Sequence, residues 1–230
     1  MIQAIFFDFN GVIIDDEPLQ MTAYKELLAE HGIDLTEADY YGALGMDDKT
    51  FLRAAFARSK KPLSDELLNS IQADKVVRHR KLIEDQLPLF PGVVTFLKAA
   101  SRELSLGLVS MANQDEINYV LDRGNLRSLF SVIVSAEDVS VCKPAPDCYK
   151  RGLEKLNEKR RDERKLPLLP RECLVIEDSP PGIQSGREAG MRTLGLTNTV
   201  AETQLRTAGA EVVSASLADW TVAAVRHLFD

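Results

Sequence analysis

At 230 residues, 45% of them hydrophobic, the chain has material for one large domain or two modest ones. Its formal net charge of -7 comes from acids and bases interspersed along the sequence; there is no long basic face for nucleic acid or an anionic membrane, and no apolar run long enough to span a bilayer. Cys142, Cys148 and Cys173 form no CxxC pair and share the chain with only His31, His79 and His227, so no zinc site is expected and the thiols read as reduced ones in a cytoplasmic protein without a leader segment.

The first predicted element is the apolar run "IQAIFFDF", a strand. From about Asp15 to Pro88 the pattern is entirely helical, in "PLQMTAYKELLAEHG", "TEADYYGALG", "DDKTFLRAAFARS" and "SDELLNSIQADKVVRHRKLIED", and "QLPLFPGV" closes it with two prolines that suit a stiff connector. Strand-like runs then alternate with helical patterns: helix Val93 to Ala100, "LSLGLVS", helix Asp115 to Arg123, "SVIVSAE", helix Pro146 to Leu156, "ECLVIED", helix Gly182 to Glu188 and "RTLGLT". Buried strands that each feed a crossover helix form a parallel sheet. The expected fold is therefore α/β, a Rossmann-like doubly wound parallel sheet core of residues 1–14 and 89–230 interrupted by an all-α domain of residues 15–88. The charged stretch from Asn157 to Pro170 mixes both signs and reads as a solvated helix extension followed by a proline turn. No apolar stripe is left without a core assignment, and a monomer is the expectation.

In an open parallel sheet the site lies beyond the carboxyl ends of the strands. There the sequence puts Asp8 and Asn10, Ser110, Lys143 in a "KPAPD" turn, and Glu177 with Asp178. Clustered carboxylates repel one another unless a hard cation joins them, and Mg2+ favours a few oxygen ligands plus water and phosphate. Phosphoryl transfer is the chemistry this set suits: Asp8 and Asp178 sharing Mg2+, Lys143, Ser110 and the loop amides balancing phosphoryl charge, and one oxygen of Asp8 free to attack phosphorus. Taken singly, Asp8 also has a reading as a strand-end turn former, Ser110 as a turn hydroxyl and "EDS" as a helix cap. The place of Asp8 after an apolar run and before a glycine already favours chemistry.

Those segments together resemble the haloacid dehalogenase superfamily, most closely its β-phosphoglucomutase-like phosphatases with a helical cap. "FFDFNGV" matches the first motif, a hydrophobic run and then DxDG[VT], except at Asn10; "GLVSMAN", "VCKPAPDCY" and "VIEDSPPGIQSGREAGM" match the second, third and fourth. The resemblance covers essentially the whole chain. It implies Asp8 as nucleophile, the Asn10 backbone carbonyl and Asp178 as Mg2+ ligands with Glu177 supporting them, and Ser110 and Lys143 as phosphate ligands. Met111, Ala112 and Asn113 continue the loop after Ser110 and are grouped with the substrate contacts. The substrate would be a small phosphorylated metabolite chosen by the cap, whose segment from Gly45 and Met46 to Lys49 is the expected contact region.

In that family the second aspartate protonates the leaving group and then deprotonates the attacking water. An amide at Asn10 forms hydrogen bonds but exchanges no proton, a loss of about 10²–10⁴ in rate, which Asn10→Asp would be expected to restore. Three readings stand side by side: a slow or specialised phosphohydrolase, a phosphomutase or other phosphotransferase, and a binding protein that closes on its ligand without turnover. Gln20 stands where the subgroup usually has a proton-handling histidine, which puts the mutase below the hydrolase. Lys49 falls one residue past the spacing of a phosphonate-cleaving Schiff-base lysine, about 100° round a helix, and reads as a surface lysine of the contact region.

Overall fold

The structure is a computed structural model, and it describes residues 1–229. Its elements run β1 (Ala4–Phe7), α1 (Glu17–Glu30), α2 (Glu37–Tyr41), α3 (Asp48–Arg58), α4 (Asp65–Leu82), α5 (Val93–Ala100), β2 (Ser105–Val109), α6 (Gln114–Arg123), β3 (Val132–Val134), α7 (Asp147–Asp162), β4 (Cys173–Glu177), α8 (Pro180–Glu188), β5 (Arg192–Leu196), α9 (Glu202–Ala208), β6 (Val212–Ser214) and α10 (Val222–Phe229). The fold is α/β. Six strands form one sheet in the order β3-β2-β1-β4-β5-β6, every pair parallel.

All four residues of β1 are buried, as a central strand covered on both faces must be. One face carries the larger core, in which Phe7 meets Phe96 of α5 and Phe130 edge-on at centroid distances of 6.1 and 6.2 Å. The other face packs Phe6 and Val175 against Tyr149 and Leu153 of α7. The chain leaves β1 for β2 on one side and later adds β4 on the other, so β1 is the switch point where such sheets open a crevice. Phe7 pairs with Leu108 and Ile176, which sets Asp8, Val109 and Glu177 side by side at the carboxyl edge.

The helices α1 to α4 bury Tyr24, Leu27, Leu28, Phe51, Leu52 and Phe56 among themselves, a core separate from those of the sheet. Short polar residues start three of them: the side chains of Thr36, Asp47 and Ser64 accept from the amides of Asp39, Thr50 and Leu67 at 3.1, 2.7 and 3.2 Å. The insertion enters and leaves through a two-stranded neck. Ile14 bridges Leu89 antiparallel, the Asp15 amide donates to the Pro88 carbonyl at 2.7 Å, and the Phe90 amide to that of Ile13 at 3.2 Å.

The sequence reading has five strands; the sixth, β6, spans three half-buried residues at the sheet edge, too short for a periodicity signal. The charged stretch after Leu156 does extend α7, which runs to Asp162.

Candidate active site

The turn after β1 is tight: the Phe9 carbonyl accepts from Val12, Ile13 and Ile14. Gly11 makes it possible, with φ of +74° and no room for a side chain, because a Cβ there would fall 1.8 Å from Oδ2 of Asp178. The loops after β1 and β4 can thus approach closely enough for Asp8, Glu177 and Asp178 to bring carboxylate oxygens within 4.8 Å of one another.

One ammonium answers two of these three carboxylates. Lys143 Nζ donates to Asp8 Oδ1 at 2.7 Å and to Glu177 Oε1 at 2.6 Å, all three buried. Burial works against the charge of Lys143, but Asp8 and Glu177 outweigh it and hold its pKa above the ordinary lysine value. The tally leaves carboxylate charge over. Burial, then repulsion from Glu177, pushes Asp8 up to about 7 despite Lys143. Burial, then Glu177 and Asp8, holds Asp178 well above the usual carboxylate range; its Oδ2 accepts from the Thr199 hydroxyl. Glu177 is saturated instead, accepting from Tyr149 OH at 2.7 Å and Ser179 Oγ at 3.0 Å besides Lys143. It fixes the lysine and does not itself border the cleft.

Above this floor lies a cleft of about 100 Å³, closed on the far side by α1, α2 and the loop before α3. Asp8, Asn10, Ser110, Lys143 and Asp178 border it from the sheet, together with Met111 and Ala112, and Gly45 and Met46 border it from the helices. Ser110 Oγ accepts from the Ala112 amide at 3.0 Å, so the hydroxyl proton stays available to a ligand. Two expected substrate contacts are not brought here. Asn113 caps α6, accepting from the Glu116 amide at 2.9 Å, and Lys49 is exposed on α3; both border a separate cavity beside the cleft. The spacing of the loop after Ser110 turns Asn113 into a helix start, and the first turn of α3 carries Lys49 outward.

Asn10 has a partner that the sequence reading missed. Its amide nitrogen lies 3.0 and 2.9 Å from the two oxygens of Asp16, which is fully buried. Gln20 Nε2 donates to the same carboxylate at 3.1 Å, and His79 Nε2 lies 2.8 Å from it. His79 Nδ1 in turn lies 3.5 Å from Glu116, which takes Lys75 Nζ at 2.9 Å; Lys75 reaches Asp48 at 3.3 Å. A chain of buried polar contacts thus runs from the turn after β1 through α4 to α6 and α3. Glu17 borders the cleft from the first turn of α1 and takes the Tyr40 hydroxyl on Oε2 at 2.6 Å. Lys75 and His79 lie four apart on α4, one face of a helix, and that spacing is the signal by which they could have been found.

Residues 2–190 match the family model described as haloacid dehalogenase-like hydrolase. Hexitol phosphatase B of Escherichia coli (strain K12) is 28% identical over 222 residues, 96% of this chain and 95% of that protein. The chain is 26% identical over 219 residues to Suppressor of quenching 1, a chloroplastic protein of Arabidopsis thaliana; these are 92% of this chain but 19% of that much longer protein. The crystal structure of a β-phosphoglucomutase from Clostridium difficile superposes with a TM-score of 0.86 at 24% identity, covering 100% of this chain and 97% of that one. On the family match over most of its length, the chain belongs to the haloacid dehalogenase-like hydrolases.

Proposed function

We propose that the protein is a Mg2+-dependent phosphatase of a small phosphorylated sugar or polyol, working through a phosphoryl group carried on Asp8. The observation that supports this most directly is Asp8 itself, a buried carboxylate at the floor of the cleft, held by Lys143 at 2.7 Å and facing Ser110 and Asp178.

The residues fit a divalent cation. Asp8 and Asp178 are both raised by burial and by other carboxylates; Lys143 pairs with Asp8, and Asp178 forms no ion pair with a lysine or arginine among the described residues. Asp8, Asp178 and the Asn10 backbone carbonyl would hold Mg2+, with Glu177 behind them; when bound, it would neutralise carboxylate and phosphoryl oxygens. Asp8 Oδ attacks phosphorus, the phosphorus–oxygen bond to the leaving group breaks, and the alcohol portion of the ester leaves as an alkoxide in need of a proton. Lys143 holds the phosphoryl oxygens and favours the ionised form of Asp8 against burial and Glu177, and Ser110 donates its hydroxyl proton to them. Water then attacks the phosphoryl group on Asp8 and returns the carboxylate. The helices α1 to α4 act as the cap, closing the cleft over residues Gly45 and Met46. Gln20 favours a hydroxyl-bearing substrate: it is buried at the cleft, and its Oε1 has no donor to accept from among the described residues.

Hydrolysis is preferred over mutase chemistry because the amides of Asn10 and Gln20 are both engaged with Asp16. Asp8→Asn should abolish phosphate release from a panel of sugar and polyol phosphates in Mg2+, in protein that circular dichroism shows to be folded. Turnover that survives this substitution would remove the assigned nucleophile.

A further inference from the structure

With Asn10 unable to exchange a proton, the aspartyl-phosphate reading needs another group at the leaving oxygen. The carboxyl groups bordering the cleft can be sorted by what they already hold. Asp8 and Asp178 belong to the nucleophile and cation set. Asp48 is tied to Lys75 at 3.3 Å and to the Tyr24 hydroxyl, and Asp47 caps α3 through the Thr50 amide at 2.7 Å. Asp16 lies behind Asn10 and is fully buried. Glu17 remains. It is in the first turn of α1, half-buried, with Oε2 held by the Tyr40 hydroxyl at 2.6 Å, and it forms no ion pair with a lysine or arginine among the described residues.

We propose that Glu17 is the proton-transfer residue of this chain, doing at the cleft what an acid at position 10 would otherwise do. The inference rests on the reading of Asp8 as nucleophile. As Asp8 Oδ bonds to phosphorus and the bond to the leaving oxygen breaks, the Glu17 proton passes to that oxygen and the product leaves as an alcohol. Glu17, now a carboxylate, takes a proton from water as the water oxygen bonds to phosphorus; the bond from phosphorus to Asp8 breaks, inorganic phosphate leaves and Glu17 is again protonated.

The surroundings suit both halves of the cycle. Glu17 faces Asp16 beside it, Asp8 and Asp178 across the cleft, Tyr40 and Tyr41 on α2 and Lys75 on α4. Burial, and after it Asp16, pushes its pKa up to about 7, partly offset by the Tyr40 hydrogen bond, which is where an acid that must also act as a base works best at neutral pH.

The test is Glu17→Gln, which keeps an oxygen for Tyr40 and so leaves the fold intact, with Asp8→Asn as reference. With β-glycerol phosphate, whose leaving group is an alkoxide, turnover should fall about 10²–10⁴-fold. With acetyl phosphate, whose leaving group needs no proton, Asp8 should still be phosphorylated, and intact mass spectrometry should show the phosphoryl adduct persisting in the variant but not in the unsubstituted protein. The rate with β-glycerol phosphate should fall above about pH 7 in the unsubstituted protein. That limb should vanish in Glu17→Gln and move to higher pH in Tyr40→Phe, which removes a hydrogen bond that favours the carboxylate. Turnover of β-glycerol phosphate within tenfold of normal, or an adduct that persists equally without the substitution, would overturn the role of Glu17 while leaving Asp8 standing. Survival of activity in Asp8→Asn would overturn the underlying reading instead.

Discussion

At Asn10 the amide is matched by a carboxylate: both oxygens of Asp16 lie within 3.0 Å of Asn10 Nδ2 in a buried pocket. Asn10→Asp would set two carboxylates face to face there, and such a pair holds together only by sharing a proton. The simple expectation that this substitution restores a missing acid therefore changes. Alone, it should destabilise the protein by about 1–3 kcal/mol at pH 8, less at pH 5 where the shared proton is retained, and recover only part of the acid/base factor. Combined with Asp16→Asn, which returns one amide and one carboxylate to the pocket, it should recover stability and give the larger gain in turnover. Thermal melts and phosphate release for the two singles and the double decide this. Equal stability of Asn10→Asp and the double variant would mean that the two residues are not paired in solution.

Among elements, α4 joins the inserted helices to the sheet. Lys75 is buried between Glu116 of α6 and Asp48 of α3, with its ammonium 5.3 Å from the centre of the Tyr24 ring. Burial works against its charge, yet Asp48 and Glu116 keep its pKa above the ordinary lysine value. Removing one member of such a set leaves the others charged and unpaired, so Lys75→Met should cost about 3–5 kcal/mol. Adding Glu116→Gln to it should return part of that loss, which denaturant titration would measure as a coupling between an inserted helix and a core helix. Independent, additive losses would mean that α4 and α6 do not communicate through this contact.

For the molecule as a whole, the carboxylate excess at the sheet edge links stability to pH and, under the proposed function, to metal. Asp8 and Glu17 both have folded pKa values of about 7, above the 3.8 and 4.5 of the free groups. Groups raised on folding contribute stability that is fully present below the unfolded value and is lost as pH rises through the folded one, here between about pH 4 and 7. Metal-free protein should accordingly lose stability across that window through these two residues. Under the proposed Mg2+ chemistry, adding Mg2+ should raise the melting temperature more at pH 8 than at pH 5, because protons compete for Asp8 and Asp178 at the lower pH. An equal rise at both would count against metal binding at these carboxylates.

The strand-ending residues Asp8, Ser110, Glu177 and Asp178, and Lys143 in the turn that follows β3, were legible in the sequence because a buried parallel strand is a continuous apolar run, and the polar residues beyond its carboxyl end mark the sheet edge where ligands bind. The helical character of residues 15–88 was legible for a similar reason, since an amphipathic helix writes its buried face into its own periodicity. Side-chain partners in the fold leave no such trace. Asp16 and Glu17 are neighbours in "DDEPL", yet one faces Asn10 and His79 in the interior and the other borders the cleft under Tyr40. Asn113 and Lys49 sat in the right segments and were carried elsewhere, one by a helix cap and the other by a turn of helix. The sequence by itself determined which residues stand at the sheet edge. Tertiary structure alone decided which carboxylates are paired with a cation and which are left without one, because that depends on contacts between residues tens of positions apart and on their removal from water.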